Sequence, residues 1–166
     1  LVLTNAHVVA GGDPRVEWNG QTLEATPVLF HDDLDVAVLR VDGLAAPPLA
    51  LLRQEVDRGD GGAVLGFPGG RYVEQPAGVR RALDATGRDI YAEDEVHRRI
   101  YELQVRVHPG NSGGPFVLPG GVAAGMIFGA STTQRDLGYA ITSPRLIPLV
   151  ERAARAGEVG TGRCAA

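Results

Sequence analysis

"IYELQVRVHPGNSGGP", Ile100 to Pro115, joins a strict alternation to a turn built from glycine, proline, asparagine and serine. Tyr101, Leu103, Val105 and Val107 fall on one face of an extended chain and Glu102, Gln104 and Arg106 on the other, because successive side chains of a strand point to opposite sides. The stretch therefore reads as a half-buried β-strand that delivers the chain into "HPGNSGGP". There Gly110, Gly113 and Gly114 permit dihedral angles closed to other residues, so a tight turn can aim two backbone amides at one point. Ser112 stands in that turn, and whether it is a nucleophile or loop filler depends on what the rest of the chain can bring to it.

Outward from this point, short apolar or alternating runs recur between glycines and prolines over residues 1–9, 14–18, 22–30, 35–41, 62–67, 77–86, 99–107, 115–118, 121–128 and 137–141. Many short strands with such punctuation predict an all-β sandwich or barrel. The segment "DGLAAPPLALLRQEVDRGDG" after Val41 breaks the strand patterning with two consecutive prolines. It reads as a connector between two β subdomains, taken here as residues 1–50 and 51–166. One helix is expected, in "SPRLIPLVERAARAG", with Ser143 as N-cap, Pro144 at the first helical position and Gly157 as the stop. The glycine-rich "GDGGAVLGFPGGR" lacks the Gly-Lys-Ser/Thr ending of a phosphate loop and reads as a strand, Ala63 to Phe67, closed by a turn at Pro68 to Gly70. Within residues 71–100, "TGRDIYAEDEVHRR" is longer than a barrel turn needs and is expected to be a solvated surface excursion, with a regulatory or self-cleaved loop as the alternative.

The totals exclude several classes of function. The 166 residues, 44% hydrophobic and 22% charged, are those of a folded domain. A formal charge of −4 speaks against a polyanion-binding surface, so nucleic acid is not an expected partner. All 16 basic residues are arginine, which removes Schiff-base lysines, Ser-Lys dyads and a phosphate-loop lysine. No apolar run reaches the 18 or so residues of a membrane helix. "LVLTNAHVV" reads as a strand already under way, and Leu1 is not an initiator methionine, so further chain is expected upstream. The one cysteine, Cys164, suits either a free thiol on a mobile tail or a partner lying before Leu1.

Hydrolysis by an activated serine needs an imidazole to take the hydroxyl proton, a carboxylate to orient that imidazole, and amides to hold the oxyanion. Of four histidines, His31 and His97 are ringed by charge and His108 flanks the serine turn, whereas His7 follows an apolar strand in "TNAHVV". Asp35 opens "DVAVLRV", an otherwise apolar strand where a carboxylate needs a partner, with Asp33 as its rival should the register slip. Gly110 and Ser112 would supply the oxyanion amides. The order His7, Asp35, Ser112 is that of the chymotrypsin type, and no Gly-x-Ser-x-Gly elbow is present. The reaction class needs no metal and no organic cofactor.

Taken together, "TNAHVV", "DLDVAVLRV" and "GNSGGP" resemble the trypsin-like serine proteases of the bacterial HtrA-like kind. The further stretches "LTNAHVVAGG", "VLGFPGGR", "DIYAEDE" and "GTGRC" are similar to the catalytic domains of the actinobacterial membrane-anchored acid-resistance proteases. This resemblance implies a chymotrypsin-like double β-barrel with a C-terminal helix. His7 and Asp35 would come from the first barrel, whose opening strands the chain lacks, and Ser112 from the second. It implies a serine endopeptidase acting on extended polypeptide, held in the periplasm by membrane helices of an upstream region, with Cys164 in a disulfide to an upstream cysteine and a role in stress or acid resistance. The substrate would lie as an added strand along Phe128, Gly129 and Ala130. Arg106 stands where trypsins keep the acid that selects basic side chains, which points instead to a small or medium apolar side chain there. Asn111 replaces the aspartate that zymogen-activated trypsins pair with a freed N-terminus, which implies an oxyanion turn set by loop contacts. A trypsin-fold module that binds peptides without cutting them is the rival reading.

Overall fold

The structure is a computed structural model and describes residues 1–165. The chain forms two compact units, one of Leu1–Pro48 with Gly87–Val96 and the residues from Pro148 onward, the other of Leu49–Thr86 with His97–Ile147.

In the first unit, β1 (Val2–Thr4), β5 (Val36–Arg40) and β4 (Thr26–His31) form an antiparallel three-stranded sheet in that order. The central strand is buried on both faces, with Val36, Ala37 and Val38 fully inaccessible, which is why its sequence is a continuous apolar run rather than an alternation. Thr4 pairs with Ala37 and His31 with Val36. Beside this sheet β2 (Arg15–Trp18) and β3 (Gln21–Glu24) make a hairpin. Its turn, Asn19–Gly20, has φ of 49° and 74°; both residues are left-handed, as the tight hairpin turn that matches strand twist requires. The unit's core is Val9, Ala25, Ala37, Leu39 and Val41, with Val2, Val16, Leu23 and Phe30 packed on it.

The tail of the chain is tied down in the same unit. The Val159 amide donates to the Pro27 carbonyl at 2.9 Å and the Gly11 amide to the Thr161 carbonyl at 3.1 Å. Arg163 lies 4.5 Å over the Tyr91 ring and pairs with Glu93. Cys164 is exposed, with its backbone against Gly11.

The second unit carries a ring. Strands β7 (Gly61–Gly66), β8 (Val73–Arg88), β9 (Glu95–Gln104), β10 (Pro115–Leu118), β11 (Val122–Ala130) and β12 (Leu137–Thr142) run β10-β7-β8-β9-β12-β11, and β10 pairs again with β11 to close it. Closure pairs β10 with β11 only over Val122–Met126, so that among the described residues the last residues of β11 keep one flank unpaired. A short strand β6 (Ala50–Leu51) lies parallel to β11 at Val122 and Ala123. The interior is filled by Val64, Val79, Tyr101, Leu103, Phe116, Ala124, Ile127 and Ala140, so the alternation of Tyr101, Leu103 and Val105 does face inward while Gln104 and Arg106 are exposed. Arg99 clamps the connector outside the ring with two 2.8 Å hydrogen bonds to Glu55, and this guanidinium holds the Glu55 carboxyl below its ordinary range.

Several expectations are corrected. The run 1–9 is not one strand: after Thr4 it turns into a four-residue helix, α1 (Ala6–Val9). The run 22–30 divides at Ala25, whose amide donates to the Pro14 carbonyl. The connector contains β6. The stretch within 71–100 is mostly exposed, as expected of a solvated excursion, but it is regular: it forms the outer end of the β8–β9 hairpin, its tip closed by Asp89, which accepts from the amides of Tyr91 and Glu93. Helix α2 (Ser143–Ala153) continues through Pro148 and ends before Gly157, since Arg155 and Ala156 bond three residues back and tighten the last turn. The Ser143 hydroxyl donates to the Leu52 carbonyl at 2.6 Å, tying the helix start to the connector.

Candidate active site

His7 lies on α1 and Asp35 in the turn that enters β5. The pairing of β1 with β5 sets the end of one strand beside the start of the other, and Asn5, fully buried, locks this corner by donating from Nδ2 to the Asp35 carbonyl at 2.9 Å. Asp35 has φ of 57°, a left-handed conformation that aspartate tolerates better than most residues. Its amide donates to the Asp32 carbonyl at 3.2 Å, which closes the turn.

The Asp35 carboxylate is 6% exposed and both its oxygens are engaged by one residue. Oδ1 accepts from the His7 backbone N–H at 2.9 Å, and Oδ2 lies 2.7 Å from His7 Nδ1. A buried carboxylate acts as acceptor, so Nδ1 carries the proton and Nε2 is left with its lone pair. The imidazole, 31% exposed, thus presents a proton acceptor. Asp33, the rival carboxylate, is exposed, and it is Asp35 that meets the ring. His31 Nδ1 accepts from the Leu34 amide, His97 Nδ1 is 3.0 Å from the Thr86 hydroxyl, and the His108 amide donates to the Asn111 side chain.

Ser112 lies in the second unit, half-buried, between β9 and β10. Around it the amides of Asn111, Gly113 and Gly114 donate to the carbonyls of His108, Ile127 and Asn111, each at 2.9 Å. Pro109 has no N–H, and the amides of Gly110 and Ser112 are the two in this turn that, among the described residues, donate to no carbonyl or side chain. Gly110 has φ of 98°, which only glycine adopts without strain. Two open amides flanking Asn111 are what an anionic oxygen needs.

The turn is joined to β11. Gly113 and Gly114 exchange hydrogen bonds with Ile127 at 2.9 Å, and β10 pairs with β11 only as far as Met126. Phe128, Gly129 and Ala130 continue the strand with β12 on one flank and, among the described residues, no paired strand on the other. A bulge between Ile127 and Gly129 turns Phe128 out of register, and Arg98 lies 5.6 Å from its ring.

The trypsin-like peptidase domain matches residues 1–126. The chain belongs to the trypsin-like peptidase family. It is 36% identical to the serine protease Rv3671c of Mycobacterium tuberculosis over 98% of its own length and 42% of that protein's. It is 33% identical to the "Probable periplasmic serine endoprotease DegP-like" of Halomonas elongata, over 97% of the chain and 34% of that protein. The crystal structure of the active form of the M. tuberculosis Rv3671c protease superposes with a TM-score of 0.94 at 35% identity, covering 99% of this chain and 74% of that one. The chain thus spans less than half the length of these curated relatives, and its fold is the all-β, chymotrypsin-like one with a C-terminal helix.

Within this trypsin-like peptidase domain, two buried amides escaped the sequence reading. Asn5 carried no local signal, since its partner is a carbonyl 30 positions away. Asn111 was noted for its missing charge, yet its packing was not foreseen: it is fully buried, Oδ1 accepts from the His108 amide at 2.9 Å, and Nδ2 is without a partner among the described residues. Nδ2 rests against Gly66, where an added Cβ would lie 2.5 Å from it. Asn111→Asp places a second carboxylate oxygen in that unpartnered position. Burial disfavours the charged form, so the folded variant holds its proton to higher pH than the unfolded chain does. Its stability relative to wild type falls as pH rises above the unfolded carboxyl value of about 3.9; urea midpoints between pH 4 and 8 measure the slope, and a flat difference refutes it.

Gly114 is equally constrained. A Cβ there would lie 2.1 Å from the Leu65 carbonyl oxygen and 2.9 Å from that of Asn111, both backbone atoms. Gly114→Ala must push β10 off β7 and is expected to cost about 1–3 kcal/mol, the scale of overpacking; denaturant midpoints check it.

Proposed function

We propose that the chain is the catalytic domain of a serine endopeptidase in which His7, Asp35 and Ser112 act together and the amides of Gly110 and Ser112 form the oxyanion hole. What carries the reading is the pair of unbonded amides in a turn whose other amides are all used. The Nδ1 bond of His7 to Asp35 supports it from the other side. His7 Nε2 takes the Ser112 hydroxyl proton as Oγ bonds to the peptide carbonyl carbon, and the oxygen's developing charge is held by the two amides. Asp35 keeps the imidazole in the required tautomer and stabilises the imidazolium. The C–N bond breaks as Nε2 returns the proton to the amine. Water, deprotonated by the same nitrogen, then releases the acyl group from Ser112.

The polypeptide adds as a strand to the open flank of Phe128, Gly129 and Ala130, where main-chain hydrogen bonds bind it in extended form. No metal or organic cofactor enters any step. The name of the Halomonas relative favours an extracytoplasmic setting. A membrane anchor upstream of Leu1 and a disulfide from Cys164 to a cysteine there belong to the same proposal, as does a role in stress or acid resistance.

The test is labelling of the full-length protein with a fluorophosphonate reagent. Labelling that is lost in Ser112→Ala, together with cleavage of an unfolded protein substrate by the wild type, is the expected result. A folded wild type that binds peptides but neither labels nor cleaves would instead be a trypsin-fold binding module.

A further inference from the structure

We propose that Phe67 and Tyr72 form a subsite for an apolar side chain of the polypeptide substrate near the scissile bond, an assignment that rests on the reading of Ser112 as the nucleophile. The two rings are 61% and 54% exposed, and large apolar groups held together in water mark a contact surface. They are not scattered residues. Over Pro68–Gly70 the chain makes a tight kinked turn with Gly69 at φ 62°, in which the Gly70 amide donates to the Phe67 carbonyl at 2.9 Å and the Arg71 amide to that of Pro68 at 3.4 Å. The turn brings the chain back so that the ring centroids lie 5.6 Å apart at 55°. The Tyr72 hydroxyl donates to Glu74 Oε1 at 2.5 Å and fixes the second ring.

The occupant follows from what this turn touches. The Phe67 amide donates to the Gly110 carbonyl at 3.0 Å. A Cβ on Gly110 would lie 2.6 Å from the Phe67 carbonyl oxygen and 2.9 Å from Pro68 Cα, so the two backbones are in direct contact. Gly110 is the residue whose own amide stands open for the oxyanion. On the proposed reading a peptide seated for cleavage passes this junction, and Phe67, whose backbone makes it, carries the first ring of the pair. The pair fits an aliphatic or aromatic side chain, which loses water on contact with both rings.

The experiment uses the full-length protein and fluorogenic peptides that differ only in carrying leucine or serine at one position, scanned over three residues on each side of the cleaved bond. The wild type is expected to prefer leucine about tenfold in kcat/KM at one of these positions, through KM. Phe67→Ala and Tyr72→Ala are each expected to bring that ratio below about twofold, and Phe67→Leu to restore most of it. Equal losses on the leucine and serine peptides, or an unchanged ratio in both alanine variants, overturn the subsite. A wild type that fails to label with the fluorophosphonate overturns the nucleophile and the subsite with it, whereas a labelled wild type with unaltered ratios removes the subsite alone.

Discussion

On the proposed mechanism Ser112→Ala is expected to lower kcat on a fluorogenic peptide by about 10⁶-fold, the loss that follows removal of a triad nucleophile, while the melting temperature stays near that of wild type. The fold should tolerate the change. Ser112 is half-buried, and among the described residues its hydroxyl makes no hydrogen bond that alanine would orphan. The turn is held by the backbone bonds of Asn111, Gly113 and Gly114, none of which involves Oγ. What remains after the substitution is the contribution of the oxyanion amides and of substrate binding, about 10³–10⁴ over water. A loss under about tenfold would mean that another group attacks the peptide and that Ser112 is a loop residue.

Asp35→Asn is expected to lower kcat by about 10⁴-fold if the proposed triad acts, and the reason lies in the hydrogen bonds. The two oxygens of Asp35 serve two different atoms of one histidine, the backbone N–H and ring Nδ1. Asparagine can satisfy the backbone N–H with its Oδ1, but then presents an amide donor to Nδ1. Nδ1 becomes the acceptor, the proton moves to Nε2, and the nitrogen proposed to take the serine proton is already occupied. Asparagine also tolerates the positive φ of this position, so the variant isolates the tautomer from the backbone. The measurement is kcat beside an NMR assignment of the protonated ring nitrogen; an asparagine variant that retains more than a tenth of wild-type activity would remove Asp35 from the mechanism.

How much of this could be read from the sequence varied with how local the cause was. The strand through Tyr101, Leu103 and Val105 was legible because one face lies on the ring's core and the other in water. The pairing of His7 with Asp35 was legible from the order of three motifs taken together, since each stretch alone also suits a structural residue. Of the β8–β9 hairpin the runs 77–86 and 99–107 were legible, while its outer end was not, since charged residues with few apolar ones among them look like loop. Helix α1 was missed because four residues in a β-branched run obey the corner they must turn rather than their own propensity. The Asn19–Gly20 turn falls in the gap between the runs 14–18 and 22–30, and its residue types are those of a two-residue hairpin. The return of the tail to Gly11 and Tyr91 depends on partners some 70 to 150 positions away, which no periodicity records. The open amides of Gly110 and Ser112 were anticipated from glycine alone; which amides would be used up by Ile127, His108 and Asn111 required the fold.

The ring of the second unit is sealed by β10, and β10 is the strand into which the Ser112 turn runs. Gly113, Gly114 and β10 share one set of bonds to β11, so the Ser112 turn is a part of the barrel's seam. Any opening of that seam loosens the turn that presents the open amides of Gly110 and Ser112. Amide hydrogen exchange at Gly113, Gly114 and Phe116 is therefore a substrate-free clock for the fraction of molecules with an assembled turn, and a solution condition that slows exchange there raises the competent population without touching His7 or Asp35.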